Sequence, residues 1–542
     1  MTHDELELPQ HEFELKRAAI VYQDTNYHDT VKWAMRSANE RCRIVASVRN
    51  LLAKHADRLI ALNRNPQRTN DIETVASELI PLADALQWIG RRGPKTLRDR
   101  RVGISGRPIW MLGVHSVVQR VPLGRVLILG TWNYPIFLSG VQIAQGLAAG
   151  NVVSIKPATG SEEVTAALVD LFHQAGIPHE SLCMLDSSPE AAIAAINGTD
   201  FTNTGDATTE DTTTEDTTTK DTTTDVDTTR DSNHPQNTAA DLVVLTGAAS
   251  TGRKVLRQTA EKLTPTIMEL SGVDGVVVMP GADWKRVTAA LRFGFPLNSG
   301  ATCIGPRRLM FETNEASGVP KELAEWIESL RDTAAVEVHP AARRGVADTI
   351  SQAIQAGAVD EVGKFNANEI RESGRMFPVV LSNVPDNHPV LQSDLFAPVI
   401  SLMPLSDIQT AISIINRSPY RLAASVFGPP RAADTLARQL QVGSVTVNDL
   451  IAPTADPRLP FGGRGESGFG VTRGPEGLLA MTAIRVIATR SGRIAPHLSS
   501  RKDTDADLLT GTLQWKHTRG LRNRLAAIRR LTTAAVTGKP IK

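Results

Sequence analysis

The chain has 542 residues, of which 41% are hydrophobic, and its 59 lysines and arginines balance 58 aspartates and glutamates. This length predicts two or more domains with a sizeable core, and the charge balance gives no reason to expect nucleic acid as a partner. Three scattered cysteines exclude a disulfide framework and favour a reducing compartment. The acidic segment 1–13 is not a secretory signal, and no apolar run reaches the roughly 18 residues of a membrane helix. We therefore expect a cytoplasmic protein without a transmembrane segment.

The amino-terminal part of the chain, 10–100, is rich in Ala, Leu and Arg and predicts helices rather than strands. A helix at 74–88 places four apolar residues on one face, which we expect to face the core: Val75, Leu79, Leu82 and Leu86. Beyond it the pattern becomes extended over 109–119, with Gly113 at a bend.

Strand and helix patterns then alternate along the chain. Apolar runs predict strands at 124–130, 151–155, 182–185, 241–247, 273–279, 308–311 and 441–448. Helices are predicted at 139–150, 161–175, 189–196, 284–294, 320–331 and 341–357. Ser161 is placed to cap the second of these helices. Because parallel strands need crossover helices between them, the alternation predicts the α/β class with a parallel sheet.

Two segments differ in composition from the rest. Residues 204–237 repeat pentads such as Asp211–Glu215 and contain one large apolar residue, Val226. Such a small apolar surface cannot offset the entropy lost on ordering. We therefore predict a disordered surface loop; the alternative is a weak hairpin or a partner site. The tail 491–542 carries 11 lysines and arginines against three aspartates. We expect a solvated extension; the alternative is peripheral membrane or partner contact through a basic amphipathic helix near Leu521–Leu531.

Two side chains stand in contexts that suit catalysis, each with a structural alternative. Cys303 lies in a loop of small residues that another group can approach closely, whereas Cys42 and Cys183 lie in regular elements and fit buried structural cysteines. Glu269 lies between two apolar residues, where burial would raise its pKa and make it a base near neutral pH. The alternative is a glutamate that faces water at a strand end.

Asn133 follows the predicted strand 124–130, at the edge where open α/β sheets bind ligands. Its amide could donate a hydrogen bond to an oxyanion. An asparagine before Tyr-Pro also forms turns, so this residue alone decides nothing.

Seven sequence blocks occur in the order typical of one known family. They are Gly130–Pro135 (GTWNYP), Lys156 with Pro157, Leu245–Gly247 with Gly252, Glu269 with Leu270, Cys303 in its loop, Phe396–Val399 (FAPV), and Pro460–Gly463 (PFGG) with Ser467 and Gly468. This pattern, within 100–485, resembles the aldehyde dehydrogenase superfamily. The Trp-Asn-Tyr-Pro block is similar to the shorter, fatty-aldehyde-like branch.

The resemblance implies NAD- or NADP-dependent oxidation of an aldehyde to a carboxylic acid. It makes Cys303 the nucleophile, which forms a thiohemiacetal and then a thioester. Asn133 and the backbone N–H of Cys303 would hold the oxyanion, and Glu269 would activate the water that hydrolyses the thioester. No metal site is implied.

The same resemblance assigns the cofactor contacts. Lys156 and Thr159 would meet the adenosine ribose, and the turn from Gly247 to Gly252 would meet the pyrophosphate at a helix amino terminus. The other cofactor-binding residues would be Trp132, Leu270, Asp394 and Phe396, the last of which would support the nicotinamide ring.

Four positions depart from the family pattern. Thr159 replaces a glutamate that would repel a 2′-phosphate, so NADP is allowed, and our hypothesis places its phosphate between Lys156 and Thr159. Asp394 is one methylene shorter than the usual ribose-binding glutamate, and Ser271 and Ala397 replace glycines. These departures predict looser cofactor binding and lower efficiency, but the same reaction class.

The resemblance further implies a parallel-sheet cofactor domain at 10–267, with a small β oligomerisation hairpin at 106–122, and an α/β catalytic domain at 268–440. A return segment with an oligomerisation strand at 441–490 precedes the tail, and a homodimer is expected. Two alternatives remain: a CoA-acylating dehydrogenase, against which Glu269 argues, and a catalytically impaired scaffold protein. No charged anchor in the sequence specifies the aldehyde.

Overall fold

The computed structural model describes residues 28–68, 70–108, 111, 113–199, 239–313, 318–491, 495–498, 500 and 502–537. These residues form two compact units, one within 28–98 and 120–485 and the other within 99–119 and 486–537. The predictions for 10–27 and for the threonine-rich tract 204–237 lie outside the described residues.

The first unit begins with helices, as predicted for this part of the chain. They are α1 (His28–Met35), α2 (Ala38–Lys54), α3 (Ala56–Asn63), α4 (Asp71–Thr74) and, after a π-helical turn at Val75–Leu79, α5 (Ile80–Thr96). The predicted apolar stripe faces the core: Leu79, Leu82 and Leu86 are buried, and Val75 packs against them. The π-helical turn divides the predicted helix 74–88 in two. Two strands follow, β1 (Arg100–Val102) and β2 (Val114–Pro122).

The next part confirms the predicted alternation of strands and helices. Its strands are β3 (Arg125–Leu129), β4 (Val152–Lys156), β5 (Leu182–Met184), β6 (Leu242–Gly247) and β7 (Thr266–Leu270). Its helices are α6 (Phe137–Ala149), α7 (Glu162–Gln174), α8 (Pro189–Asn197) and α9 (Ala249–Ala260). The five strands are parallel, in the order β7–β6–β3–β4–β5. Their apolar residues are buried between the helices, which is why the runs lack alternation.

Two sequence predictions fail in this sheet. Cys183 is exposed rather than buried, because β5 is the edge strand and is covered less completely than its neighbours. Ser161 stands at the amino end of α7, but its side chain makes no capping hydrogen bond.

The ends of the segment that carries the threonine-rich tract lie close together. The backbone N–H of Ala240, just before β6, donates to the carbonyl oxygen of Ala195 in α8 at 3.2 Å. Both ends therefore lie at the amino end of β6, whereas Gly247 marks its carboxyl end.

The described residues of the later part of this unit form a second sheet. The helices of this part of the chain are α10 (Trp284–Gly294), α11 (Lys321–Leu330), α12 (Pro340–Gln355), α13 (Ala367–Ser373), α14 (Thr410–Arg417) and α15 (Pro430–Ala437). The strands of this part are β8 (Asp274–Val278), β9 (Pro306–Glu312), β10 (Val336–Glu337), β11 (Val359–Asp360), β12 (Arg375–Met376), β13 (Val379–Ser382), β14 (Val399–Leu405), β15 (Tyr420–Arg421), β16 (Ala423–Phe427) and β17 (Ser444–Val447). The sheet order is β11–β13–β14–β9–β8–β16–β17, with only β11 antiparallel. The α/β class is thus confirmed in both sheets.

The chain then returns to the first sheet. The remaining elements of this region are β18 (Arg464–Gly465), β19 (Gly468–Phe469), α16 (Gly474–Ala480) and β20 (Thr482–Arg490). Strand β19 pairs antiparallel with β7, placing Gly468 opposite Glu269. The return segment therefore runs along the strand that carries this carboxylate.

The second unit contains the carboxyl-terminal helices α17 (Asp505–His517) and α18 (Leu521–Thr537), which pack together. The predicted helix near Leu521–Leu531 is thus confirmed. Strands β1, β2 and β20 form a three-stranded sheet. Within the described part of the chain, every helix is too short or too polar to cross a bilayer.

Candidate active site

Cys303 lies in the loop between α10 and β9, where left-handed backbone sets the path of the chain. Asn298 and the residue after it have φ angles of 52° and 54°. Gly300 also has a positive φ, of 78°, and a side chain there would clash with the backbone at Pro398. The Cys303 side chain is half-buried beside the apolar cluster that includes Phe461.

Asn133 follows β3 and is buried. Its Nδ2 donates to the carbonyl oxygen of Ala301 at 2.9 Å, two residues before Cys303. The hydroxyl of Thr131 donates to its Oδ1 at 2.6 Å. The structure thus brings Asn133 to the Cys303 loop and fixes the orientation of its amide. Because an amide nitrogen carries two hydrogens, one can hold the loop while the other points to an oxyanion.

A buried ion pair supports this arrangement. Arg68 Nη1 and Glu78 Oε1 lie 2.7 Å apart, and their side chains are 3% and 1% exposed. The same guanidinium donates to Asn298 Oδ1 at 3.3 Å and to the backbone carbonyl of Asn133. Glu78 Oε2 accepts two backbone N–H groups at the start of α6. One pair of charges therefore holds the catalytic loop, Asn133 and a helix terminus together.

Glu269 in β7 is buried, so the alternative of a water-facing carboxylate is wrong. Thr472 donates from its hydroxyl to Oε2 at 2.9 Å, while Oε1 has no protein hydrogen-bond partner. Burial raises the pKa of Glu269, and the Arg473 guanidinium and the Thr472 hydroxyl partly oppose the rise. A Cβ on Gly272 would lie 2.6 Å from the carbonyl oxygen of Cys303, so the backbone after Glu269 lies against the cysteine.

The charges around the sulfur disfavour its thiolate. Burial raises the pKa of Cys303, and the carboxylates of Glu269, Asp274 and Asp394 raise it further, while Arg473 lowers it. Burial and these carboxylates therefore favour the thiol over the thiolate. Since only a thiolate is an effective nucleophile, a catalytic role for this sulfur would require a base, and Glu269 is the first of the carboxylates that act on it.

Lys156 and Thr159 lie at the carboxyl end of β4, where Lys156 is half-buried and Thr159 exposed. Partial burial lowers the pKa of Lys156, and the carboxylates of Glu162, Asp186 and Glu190 raise it. The ammonium is therefore surrounded by negative charge, which weakens its attraction for a phosphate between Lys156 and Thr159.

The turn from Gly247 to Gly252 connects β6 to α9. Its cap residue, Ala248, offers no side chain to the backbone N–H groups of the first helical turn. A Cβ on Gly252 would lie 2.8 Å from Cδ1 of Leu270. The glycine thus lets α9 pack closely on β7 and fixes the helix start beside the sheet edge.

At the edge of the Cys303 loop the structure brings together Trp132 and Phe396, with ring centroids 6.1 Å apart. Trp132 also stacks on His339 at 4.3 Å. Asp394 forms a buried ion pair with Arg307 at 3.1 Å, and its Oδ2 has no protein hydrogen-bond partner. Burial raises the pKa of Asp394 to about 6, against the lowering effect of Arg307.

Sequence reasoning missed several residues that shape the site: Arg68, Glu78, His339, Thr472 and Arg473. Glu78 gave a usable signal, because a carboxylate within the apolar helix 74–88 indicates a buried partner. Thr472 and Arg473 closely follow the Pro-Phe-Gly-Gly block. Nothing local indicated the stacking position of His339.

Comparisons with known proteins identify the family of the chain. The aldehyde dehydrogenase family model matches residues 17–217 and 233–487. A 4,4'-diapolycopene aldehyde oxidase from Methylomonas sp is 29% identical over 478 residues, covering 86% of this chain and 81% of that protein. A probable coniferyl aldehyde dehydrogenase from Pseudomonas aeruginosa is 26% identical, covering 84% and 87%.

Solved structures show the same fold. Succinic semialdehyde dehydrogenase from Streptococcus pyogenes, in complex with NADP+, has a TM-score of 0.71 at 18% identity and covers 91% of this chain and 97% of its own. Betaine aldehyde dehydrogenase from Staphylococcus aureus, in complex with NAD+, has a TM-score of 0.72 at 19% identity and covers 91% and 89%. With the family model matching most of its length, the chain belongs to the aldehyde dehydrogenase family and is an oxidoreductase that acts on aldehydes.

Proposed function

We propose that the protein uses NAD or NADP to oxidise an aldehyde to a carboxylic acid through a thioester on Cys303. The observation that carries the proposal is the bond from the Asn133 amide to the Cys303 loop at Ala301. It joins an oxyanion donor to a nucleophile, and the buried carboxylate of Glu269 raises the pKa of the same sulfur. An acyl-transfer site needs these three groups around one carbonyl.

In this mechanism Glu269 first accepts the proton of the Cys303 thiol. A carboxyl whose pKa is raised by burial can take that proton near neutral pH. The thiolate attacks the carbonyl carbon, and the Asn133 amide and the backbone N–H of Cys303 stabilise the oxyanion. Loss of one such donor costs on the order of 3 kcal/mol of transition-state stabilisation.

The second half of the reaction is hydrolysis of the thioester. Thr472 holds one oxygen of Glu269, and Oε1 has no protein partner. After Glu269 has passed the thiol proton to solvent and is again a carboxylate, we assign to Oε1 the proton of the attacking water. The buried carboxylate supports hydrolysis over transfer to CoA, because a thiol acceptor does not require a base in this position.

The residues present fit a nicotinamide dinucleotide. The start of α9 leaves backbone N–H groups without a side-chain cap, which suits a pyrophosphate. Asp394 Oδ2 has no protein partner, which suits a ribose hydroxyl, and Phe396 and Trp132 offer ring faces. A bound nicotinamide would supply the hydride acceptor. Lys156 would contact the adenosine ribose. The carboxylates that act on it weaken its attraction for a 2′-phosphate, so we expect the enzyme to use NAD as well as NADP.

A panel of aldehydes assayed with both cofactors tests the proposal. The panel should include a polyene aldehyde, coniferyl aldehyde and succinate semialdehyde, since relatives carry these substrates in their names. We expect reduced cofactor and free acid without CoA, and none of either from Cys303→Ser. Acid release only with CoA would establish the acylating alternative. A protein inactive on the whole panel that still binds cofactor would favour the scaffold alternative.

For assembly we propose a homodimer, with a cofactor domain at 10–267, a catalytic domain at 268–440 and a return segment at 441–490. The two sheets support this division, because their strands lie mainly within those ranges. Exposed Ile484 and Val486 on β20 support a dimer through this strand. Light scattering tests the dimer by comparing the molar mass of Val486→Lys with that of the unsubstituted protein. We expect a monomer for the variant and a dimer for the unsubstituted protein; a monomer for both would refute the proposal.

For the tail 491–542 we propose a peripheral contact with an anionic membrane rather than a purely solvated extension. Leu521 and Leu525 are exposed on α18 next to exposed Arg522 and Arg524, an arrangement that suits lipid headgroups and acyl chains. Co-sedimentation with phosphatidylserine vesicles should occur and should be lost in Leu521→Asp/Leu525→Asp. Equal binding to neutral vesicles, or none to either, would refute the contact.

A further inference from the structure

Arg473 is a buried cation at the start of α16. It is 5% exposed. Its backbone has φ 60° and ψ 171°, a region that is essentially confined to glycine. Its backbone N–H donates to Oε1 of Gln145 at 3.2 Å. The chain therefore accepts unfavourable backbone geometry to direct an arginine side chain into the interior.

The surroundings of the guanidinium do not neutralise it. Its Cζ lies 4.2 Å from the ring centroid of Phe461 and 5.5 Å from that of Phe137, and Nη1 donates to the carbonyl oxygen of Thr454 at 2.6 Å. Rings and a carbonyl orient the group but carry no net charge, and Nε has no protein hydrogen-bond partner. A buried guanidinium without a charged partner is costly, so we expect an anion nearby to offset its charge.

Thr472, the residue before Arg473, links this segment to a buried carboxylate. Strand β19 pairs with β7 at Glu269, and Thr472, the neighbour of Arg473, donates to Oε2 of the same glutamate at 2.9 Å. One short segment thus gives a hydroxyl to this carboxylate and lays a guanidinium on Phe461, a member of the apolar cluster against which Cys303 packs. Oε1 of Glu269 and Nε of Arg473 are both buried without a protein partner.

We propose that Arg473 is a positioning residue for deacylation: its charge keeps Glu269 ionised beside Cys303 and so sets the pH range of thioester hydrolysis. This rests on the proposed function of Glu269 as the base. Arg473 lowers the pKa of Glu269 and that of Cys303. Glu269, Asp274 and Asp394 act on Cys303 in the opposite direction and raise its pKa. Arg473 therefore opposes the effect of these three carboxylates on the sulfur.

The test compares Arg473→Gln, which removes the charge, with Arg473→Lys, which keeps it. Arg438→Gln is the control, because that arginine is exposed at the carboxyl end of α15 and pairs with Asp434 of the same helix. Hydrolysis of the preformed acyl-enzyme is measured against pH. In parallel, alkylation of Cys303 by iodoacetamide is measured without cofactor by peptide mass spectrometry, with exposed Cys183 in the same sample as the internal reference.

For Arg473→Gln we expect hydrolysis at pH 7 to slow about tenfold and to recover at higher pH. Alkylation of Cys303 should shift to higher pH while that of Cys183 does not. Arg473→Lys should restore both profiles to near those of the unsubstituted protein, and Arg438→Gln should alter neither.

Two outcomes would overturn the proposal. One is unshifted profiles for a folded Arg473→Gln. The other is a folded Arg473→Lys whose profiles shift as far as those of the glutamine variant, which would make the role one of packing. If Arg473→Gln does not fold, the lysine variant alone decides between charge and packing. Failure of the proposed function would appear instead as no aldehyde oxidation by the unsubstituted protein, while the alkylation measurement still reports on Arg473.

Discussion

Replacing Arg68 with methionine should destabilise the protein strongly, because it leaves the Glu78 carboxylate buried without its cation. The pair has a 2.7 Å separation and side chains that are 3% and 1% exposed, and breaking such a pair costs about 3–5 kcal/mol. The surface pair Arg438–Asp434 is the matched control, with side chains 76% and 55% exposed. Arg438→Met should therefore cost at most about 1 kcal/mol.

Urea unfolding followed by tryptophan fluorescence measures both costs. The double variant Arg68→Met/Glu78→Gln removes both charges, so its loss of stability should be smaller than the sum of the single losses by about 2 kcal/mol or more. Because Arg68 also donates to the Asn133 carbonyl, kcat/KM should fall in Arg68→Met and not in Arg438→Met. Equal costs for the two single variants, or strict additivity in the double variant, would refute this account of the buried pair.

Three further substitutions probe the cofactor edge and the base. Thr159→Glu places a carboxylate near the expected 2′-phosphate, at a cost of about 1 kcal/mol per unit charge in water, so kcat/KM should fall for NADP and not for NAD. Gly252→Ala puts a Cβ 2.8 Å from Leu270 Cδ1, so the melting temperature and the affinity for both cofactors should fall, with about 1–3 kcal/mol of overpacking. Thr472→Val removes a hydrogen bond that lowers the pKa of Glu269; that pKa rises, and the rate of hydrolysis should begin to increase only at higher pH.

Each substitution has a control and a contrary outcome. Thr159→Gln should affect NADP far less than the glutamate, and an equal loss for both cofactors would contradict the charge argument. Leu270→Ala in the Gly252→Ala background should recover part of the stability, and no recovery would place the clash elsewhere. Thr472→Ser keeps the hydroxyl. If its pH profile shifted as far as that of Thr472→Val, the hydroxyl would not be what sets the pKa of Glu269.

The helices and strands could be predicted from the sequence because the burial of an element determines its local pattern of apolar residues. The apolar runs of β3 and β6 and the stripe at Leu79–Leu86 need no knowledge of distant partners. Cys183 shows the limit of such patterns: an apolar run does not reveal that β5 is an edge strand, so exposure of the thiol could not be foreseen. Strand order depends on pairing between distant segments, which periodicity does not encode.

The site divides in the same way. Asn133, Glu269 and Cys303 could be proposed as site residues because each lies in a recognisable block of sequence. Among the groups that orient them, Glu78 gave a local signal, but the contact of Arg68 with Asn298, 230 residues later in the chain, could not be foreseen. Such contacts arise only once two sheets are assembled, and a polar residue in a helix is usually solvated.

The meeting of the chain at Ala195 and Ala240 has a consequence for how this enzyme can vary. The hydrogen bond between them closes the fold at the amino end of β6, whereas Asn133 follows β3 and Glu269 lies near the carboxyl end of β7. For an insertion between two positions that are already held together, the entropic cost of closure grows only with the logarithm of its length. An insertion between Ala195 and Ala240 therefore starts and ends at the opposite end of β6 from Gly247.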